Sequence, residues 1–166
     1  MLQHVLKRGI QRIGWAYPSV RRFATAEVAD KICLTFASSS KVFYNEASVQ
    51  QLNVPTIDGE VGIYPTHVPL VGVLKPGIVT VTSKDNDVKK YFVSSGSLAI
   101  NEDSSVQLLA EEACTVEELD LQQCELGLEK AKSQAQAAAG DEKAQAEHAI
   151  AIEVYEALVK ACHEAA

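Results

Sequence analysis

From Lys31 to Glu112 the chain alternates short apolar stretches with polar and turn-forming residues, the pattern of strands that bury one face. Ile32–Phe36, Val42–Tyr44, Ile78–Thr82, Val88–Val93, Leu98–Ile100 and Val106–Leu109 read as strands. Lys84-Asp85-Asn86-Asp87 and Asn101-Glu102-Asp103-Ser104 sit between neighbours as polar turns, which predicts consecutive antiparallel hairpins. About 80 residues of such strands close into a sandwich or flattened barrel.

After Cys114 proline disappears and Ala, Glu, Gln and Lys, all strong helix formers, take over. Thr115 and Glu118 have the spacing of a capping box, so a helix is expected from about Val116 to Ala139. Gly140 then supplies a left-handed turn, and Asp141 caps a second helix over about Glu142 to His163. Leu121, Leu128, Ala131, Ala135 and Ala138 on the first helix, and Ile150, Val154, Leu158 and Ala161 on the second, form apolar seams. A two-helix hairpin buries little by itself, so it must lean on the strands or on another protein. The expected fold is an all-β sandwich N-terminal domain over residues 26–113, followed by a C-terminal antiparallel α-helical hairpin over 114–166.

Charge changes the reading of the first residues. Lys7, Arg8, Arg12, Arg21 and Arg22 precede the first acid, Glu27, while the whole chain is net −7. Leu2, Val5, Leu6, Ile10 and Ile13 recur at helical spacing, so residues 1–25 read as a mitochondrial transit peptide with a processing boundary near Arg21-Arg22-Phe23-Ala24-Thr25. The alternative is a basic arm that stays on the protein. The acidic remainder argues against nucleic acid as a partner, since phosphate recognition relies on clustered Lys and Arg. Val68–Leu74 is the longest apolar run, far short of the roughly 20 residues that cross a bilayer.

Candidate chemistry is sparse. Walker-type, dinucleotide-binding, Gly-x-Ser-x-Gly and His-Glu-x-x-His motifs do not occur. Cys33, Cys114, Cys124 and Cys162 include no Cys-x-x-Cys pair, so free thiols are expected and no zinc site. Cys162 and His163 are helical neighbours whose side chains diverge, and the acids from Glu111 to Asp120 suit a helix N-terminus. No catalytic residue, cofactor or metal is therefore expected. The segment Ile57–Gly77, with three prolines and four glycines, reads as a stiff irregular stretch that presents Glu60 and His67 for docking. The plainer alternative is that both merely close a turn.

Gly59-Glu60-x-Gly62-Ile63-Tyr64-Pro65-x-His67-x-Pro69-Leu70, Leu74-Lys75-Pro76-Gly77 and Val93-Ser94-x-Gly96-x-Leu98 closely resemble the small central-stalk subunit of rotary ATP synthases, called epsilon in bacteria and chloroplasts and delta in mitochondria. The resemblance extends from about Lys31 to the C-terminus. It implies a ten-stranded sandwich and two helices, bound to the gamma subunit and resting on the c-ring, with a mitochondrial epsilon subunit packed alongside. It also implies a non-catalytic rotor subunit in a hetero-oligomeric complex, peripheral to the mitochondrial inner membrane on its matrix side, that couples proton flow to ATP synthesis. Carried over by motif, the loop of Gly59, Glu60, Val61, Gly62 and Ile63 would touch the c-ring, with His67 near the junction of shaft and ring. Many bacterial members have Ile/Leu-Asp-x-x-Arg-Ala where this chain has Leu119-Asp120-Leu121-Gln122-Gln123-Cys124. Gln123 cannot supply the bidentate contact of a guanidinium, so a nucleotide-sensing hairpin is not expected. The competing reading makes the hairpin a conformational inhibitor of ATP hydrolysis, and a remoter one makes His67 and Glu60 a hydrolase or lyase pair.

Overall fold

Alternation of inward Leu, Ile, Val and Phe with outward polar or small residues produces ten strands in the computed structural model, which describes residues 31–138 and 141–165. They are β1 (Ile32–Ser38), β2 (Val42–Val49), β3 (Gln51–Thr56), β4 (Gly59–Ile63), β5 (Leu70–Leu74), β6 (Gly77–Thr82), β7 (Val88–Val93), β8 (Gly96–Ile100), β9 (Ser105–Ala110) and β10 (Ala113–Thr115). The transit-peptide expectation, the first five residues assigned to the sandwich, and the Gly140 turn lie outside the described residues.

Hydrogen bonding runs β10-β7-β6-β3-β5-β8-β9-β1-β2, with β4 on the other side of β3. A single pair, Thr56 with Leu74, joins β3 to β5, so the path folds into two layers there. All pairings are antiparallel except β1 with β9, which run parallel from Cys33 opposite Ser105 to Ser38 opposite Ala110. The turns Lys84–Asp87 and Asn101–Ser104 join β6 to β7 and β8 to β9 as expected.

Between the layers, Leu34, Phe36, Leu52, Ile63, Val79, Val81, Val93, Leu98 and Leu108 are fully enclosed. One end of the core is aromatic. Phe36 stacks on Phe43 at 4.8 Å, and Tyr91 sets its edge against Phe36, Phe43 and Tyr44. Its phenol shares a 3.1 Å hydrogen bond with the Tyr44 hydroxyl. Burial, then that bond, hold Tyr91 well above the ordinary tyrosine range, so it stays neutral.

The sheet continues two residues past Ala113, because β10 pairs with Tyr91–Val93 of β7. The first helix starts later than the capping-box spacing suggests. Glu118 does accept from the Thr115 amide at 3.0 Å, but that box closes only a 3-10 turn at Val116–Glu118. Asp120 caps the true helix, α1 (Leu121–Ala137), accepting from the amides of Gln122 and Gln123. Replacing Asp120 by Ala removes both bonds and should cost about 1 kcal/mol, read as a lower urea midpoint at unchanged slope.

Asp141 caps α2 (Glu142–Ala165) through the Lys143 amide, as its position suggests. α1 contributes Cys124 and Ala131 as its buried residues. Ile150, expected on the α2 seam, is instead 64% exposed. The other residues expected on that seam, Val154, Leu158 and Ala161, are half-buried or buried, and Tyr155 turns its ring toward α1 at Gly127. Gly127 allows the close approach of the helices, since a Cβ there would overlap the Tyr155 ring. The far side of α2 rests on the β6–β7 layer, where Ala161 is 1% exposed and the Lys90 ammonium donates to the Glu164 carbonyl at 3.1 Å.

Candidate functional site

The stretch Ile57–Gly77, expected to be irregular, holds two strands, β4 at Gly59–Ile63 and β5 at Leu70–Leu74, because each finds a ladder partner, β3 for the first and β8 for the second. β4 forms a hairpin with β3, from Leu52 opposite Ile63 to Thr56 opposite Gly59, around a turn at Ile57 and Asp58. The Thr56 hydroxyl clamps the turn by donating to the Gly59 carbonyl at 2.7 Å. Strand alternation then divides the five motif residues. Ile63 is fully buried and Val61 packs against the core, whereas Glu60 and Gly62 face outward and are exposed; Gly59, on the inward parity, is exposed because it lies at the turn.

His67 belongs to the other end of β4. Its amide donates to the Tyr64 carbonyl, and the preceding Thr66, at φ +63°, donates its amide to the Ser104 hydroxyl at 3.1 Å. The imidazole Nδ1 lies 2.8 Å from the Val68 carbonyl; a carbonyl only accepts, so the geometry calls for the Nδ1–H tautomer. Glu60 and His67 thus flank opposite ends of the strand, and the structure does not bring them together as an acid and base pair.

A larger feature was not singled out from the sequence. In the layer β5-β8-β9-β1, the outward residues are Val71 and Val73, then Ala99 and Ser97, then Gln107 and Leu109, then Thr35 and Ala37. None carries a charge. Val71 is 83% exposed, Val73 and Leu109 about half exposed, and the exposed Val68 lies just before the strip, next to His67 in the chain. At its other end Ile57, also exposed, donates its amide to the Val73 carbonyl. The signal was present in the sequence, because Leu70-Val71-Gly72-Val73-Leu74 is apolar at both parities, as in strands covered on both faces. In this chain only one face is covered.

The opposite layer is where α2 docks. Between them lies a cleft of about 460 Å³ bordered by Glu60, Lys75, Lys90, Lys160 and Glu164. Its cations are engaged: Lys75 with Glu153 at 3.5 Å, Lys160 with Glu164 at 3.6 Å, and Lys90 with the Glu164 carbonyl. Gln123 lies at the start of α1, exposed, with its amide directed at Asp120. Among the described residues no cluster of three His, Cys, Asp or Glu fits a metal ion, and no helix is long and apolar enough to cross a membrane.

Residues 31–116 match the family model described as the ATP synthase delta/epsilon chain, beta-sandwich domain. The chain is 43% identical to the mitochondrial ATP synthase subunit delta of Caenorhabditis elegans, over 95% of this chain and 97% of that one. It is 38% identical to the subunit of the same name from Yarrowia lipolytica, over 87% and 91%. A chain in the structure of the Euglena gracilis mitochondrial ATP synthase, which comprises OSCP, F1 and the c-ring, superposes with a TM-score of 0.77 at 28% identity, covering 85% of this chain and 87% of that one. The matched segment spans the whole two-layer sandwich, and the relatives carry the similarity through the helical hairpin as well: the chain belongs to the ATP synthase delta/epsilon family.

Proposed function

We propose that this chain is a non-catalytic rotor subunit of the mitochondrial ATP synthase, clamping the gamma shaft to the c-ring on the matrix side of the inner membrane. The observation that carries the reading is the uncharged outer face of β5-β8-β9-β1, left open while α2 covers the opposite layer. Val71, Val73 and Leu109 are exposed on this face at a cost in water, and a partner surface relieves it. The shaft is assigned to that face. Glu60, with Gly59 and Gly62, offers a polar hairpin edge for the polar loops of the c-ring, and His67 lies just before the apolar strip in the chain. The mitochondrial epsilon subunit is the further partner expected beside it.

The chain itself performs no chemistry in this reading; it transmits torque, for which a densely packed sandwich is mechanically suited. The hairpin's position supports a permanent clamp over a brake. Ala161 is buried against the sheet, and α2 is tied to it by the Lys75–Glu153 and Lys90–Glu164 contacts.

Photocrosslinking in the assembled complex tests the assignment of faces. A photoreactive residue at Val71 should capture the gamma subunit, and one at Glu60 should capture a c subunit. Capture of the c subunit from Val71, or of neither partner from either position, would overturn the assignment.

A further inference from the structure

Three of the four cysteines, far apart in sequence, gather where the hairpin meets the sandwich. Cys114 lies on β10 opposite Phe92 of β7, Cys124 early in α1, and Cys162 near the end of α2. The end of α2 is fixed there independently, by the Lys90 ammonium of β7 on the Glu164 carbonyl.

Helix register pairs two of the thiols. Leu121, Cys124, Leu128 and Ala131 step by three and four along the seam of α1, and Ala151, Tyr155, Leu158 and Cys162 do the same on α2. Two contacts set the antiparallel alignment: Gly127 against Tyr155, and Lys132 with Glu156 at 3.1 Å. Followed toward the open end of the hairpin, they bracket the residue facing Cys124 between Leu158 and Glu164, and Cys162 is the seam position inside that interval. Cys124 is 7% exposed and Cys162 is half-buried, so only the second is open to a small solute. Burial, then the adjacent Cys162, hold the Cys124 thiol up at about 11, which keeps it protonated at neutral pH.

We propose that Cys124 and Cys162 are an oxidisable pair that hydrogen peroxide closes to an intramolecular disulfide, stapling the open end of the hairpin. The exposed member reacts first. The Cys162 thiolate attacks one peroxide oxygen, the O–O bond breaks, and the departing hydroxide takes a proton from solvent. Cys124 Sγ then attacks the Cys162 sulfenic sulfur; it loses its proton as the S–O bond breaks and water leaves. Two thiols and one peroxide give one disulfide and two waters. Because Asp120 begins α1 only a few residues after β10, the bridge also ties the end of α2 to the sandwich.

The test treats the purified full chain with hydrogen peroxide, blocks remaining thiols with a maleimide, and maps bridges by mass spectrometry. Trypsin alone leaves Cys114 and Cys124 in one peptide, so a Glu-specific protease that cuts at Glu117 or Glu118 is added. Expected are a Cys124–Cys162 bridge within single molecules, a free Cys114, and slowing of native-state tryptic cleavage in the hairpin by about tenfold or more, through restricted local opening. Cys114→Ser should keep the bridge and Cys124→Ser should abolish it. A bridge at Cys114–Cys162, bridges only between molecules, or four free thiols in the treated native wild-type chain would each overturn the pairing; this readout does not depend on any variant folding.

Discussion

Replacing Gly96 by alanine should lower the melting temperature of the purified chain by about 10 °C, from a cost of about 3 kcal/mol or more. Gly96 opens β8 at φ +154°, and a Cβ there would overlap the Leu109 carbonyl oxygen and stand 2.8 Å from the Ala110 Cα. Those neighbours are backbone atoms of β9, fixed by the Gly96–Ala110 and Ser97–Leu109 pairs and, on the far side, by the parallel register with β1. A flexible side chain could swing away, but a strand held on both edges cannot move without breaking its ladders. Relief therefore requires separating β8 from β9, which would disturb Leu98 and Leu108 in the core. Thermal unfolding followed by circular dichroism checks the shift, and a change of under about 3 °C would show that the approach of the two strands is looser than described.

Val71→Glu combined with Val73→Glu should leave the free chain nearly intact while removing it from its complex. Both valines point outward from β5 and are 83% and 52% exposed, so the glutamates stay hydrated in the isolated protein. Lost strand propensity should cost about 1 kcal/mol in total. Docking against an apolar partner face would strip water from two carboxylates without compensating charges, a penalty of several kcal/mol. Incorporation into the ATP synthase should fall by about 100-fold or more. Urea unfolding of the variant and its recovery with the purified complex separate the two effects. Normal incorporation would remove this face from the account.

The course of the chain was readable wherever local chemistry decided it. Alternation marked β1, β6, β7, β8 and β9, the polar clusters marked their turns, and Asp141 marked the start of α2, because each signal acts within a few residues. β4 escaped notice because Gly59 and Gly62 occupy two of its five positions and dilute the strand pattern; its pairing with β3 supplies what propensity lacks. At the start of α1, Thr115 and Glu118 formed their box, but Leu119 then turned extended and passed the capping role to Asp120. The open face could not be assembled from sequence spacing. Val71, Ala99, Gln107 and Thr35 become neighbours only through the β5-β8-β9-β1 register, including a parallel pairing between segments some seventy residues apart. The same holds for Cys124 and Cys162, which are brought together by the hairpin's alignment. In contrast, the motif around Glu60 and His67 was visible at once, although the structure sets these residues at opposite ends of a strand and buries Ile63 between them.

The most direct test of the rotor assignment is a native gel of detergent-solubilised mitochondria, probed in one lane for this chain and for ATP hydrolysis. Co-migration of the chain with the active ATP synthase band is the predicted result. A chain found only as a free small protein, with the active band lacking it, would contradict the assignment.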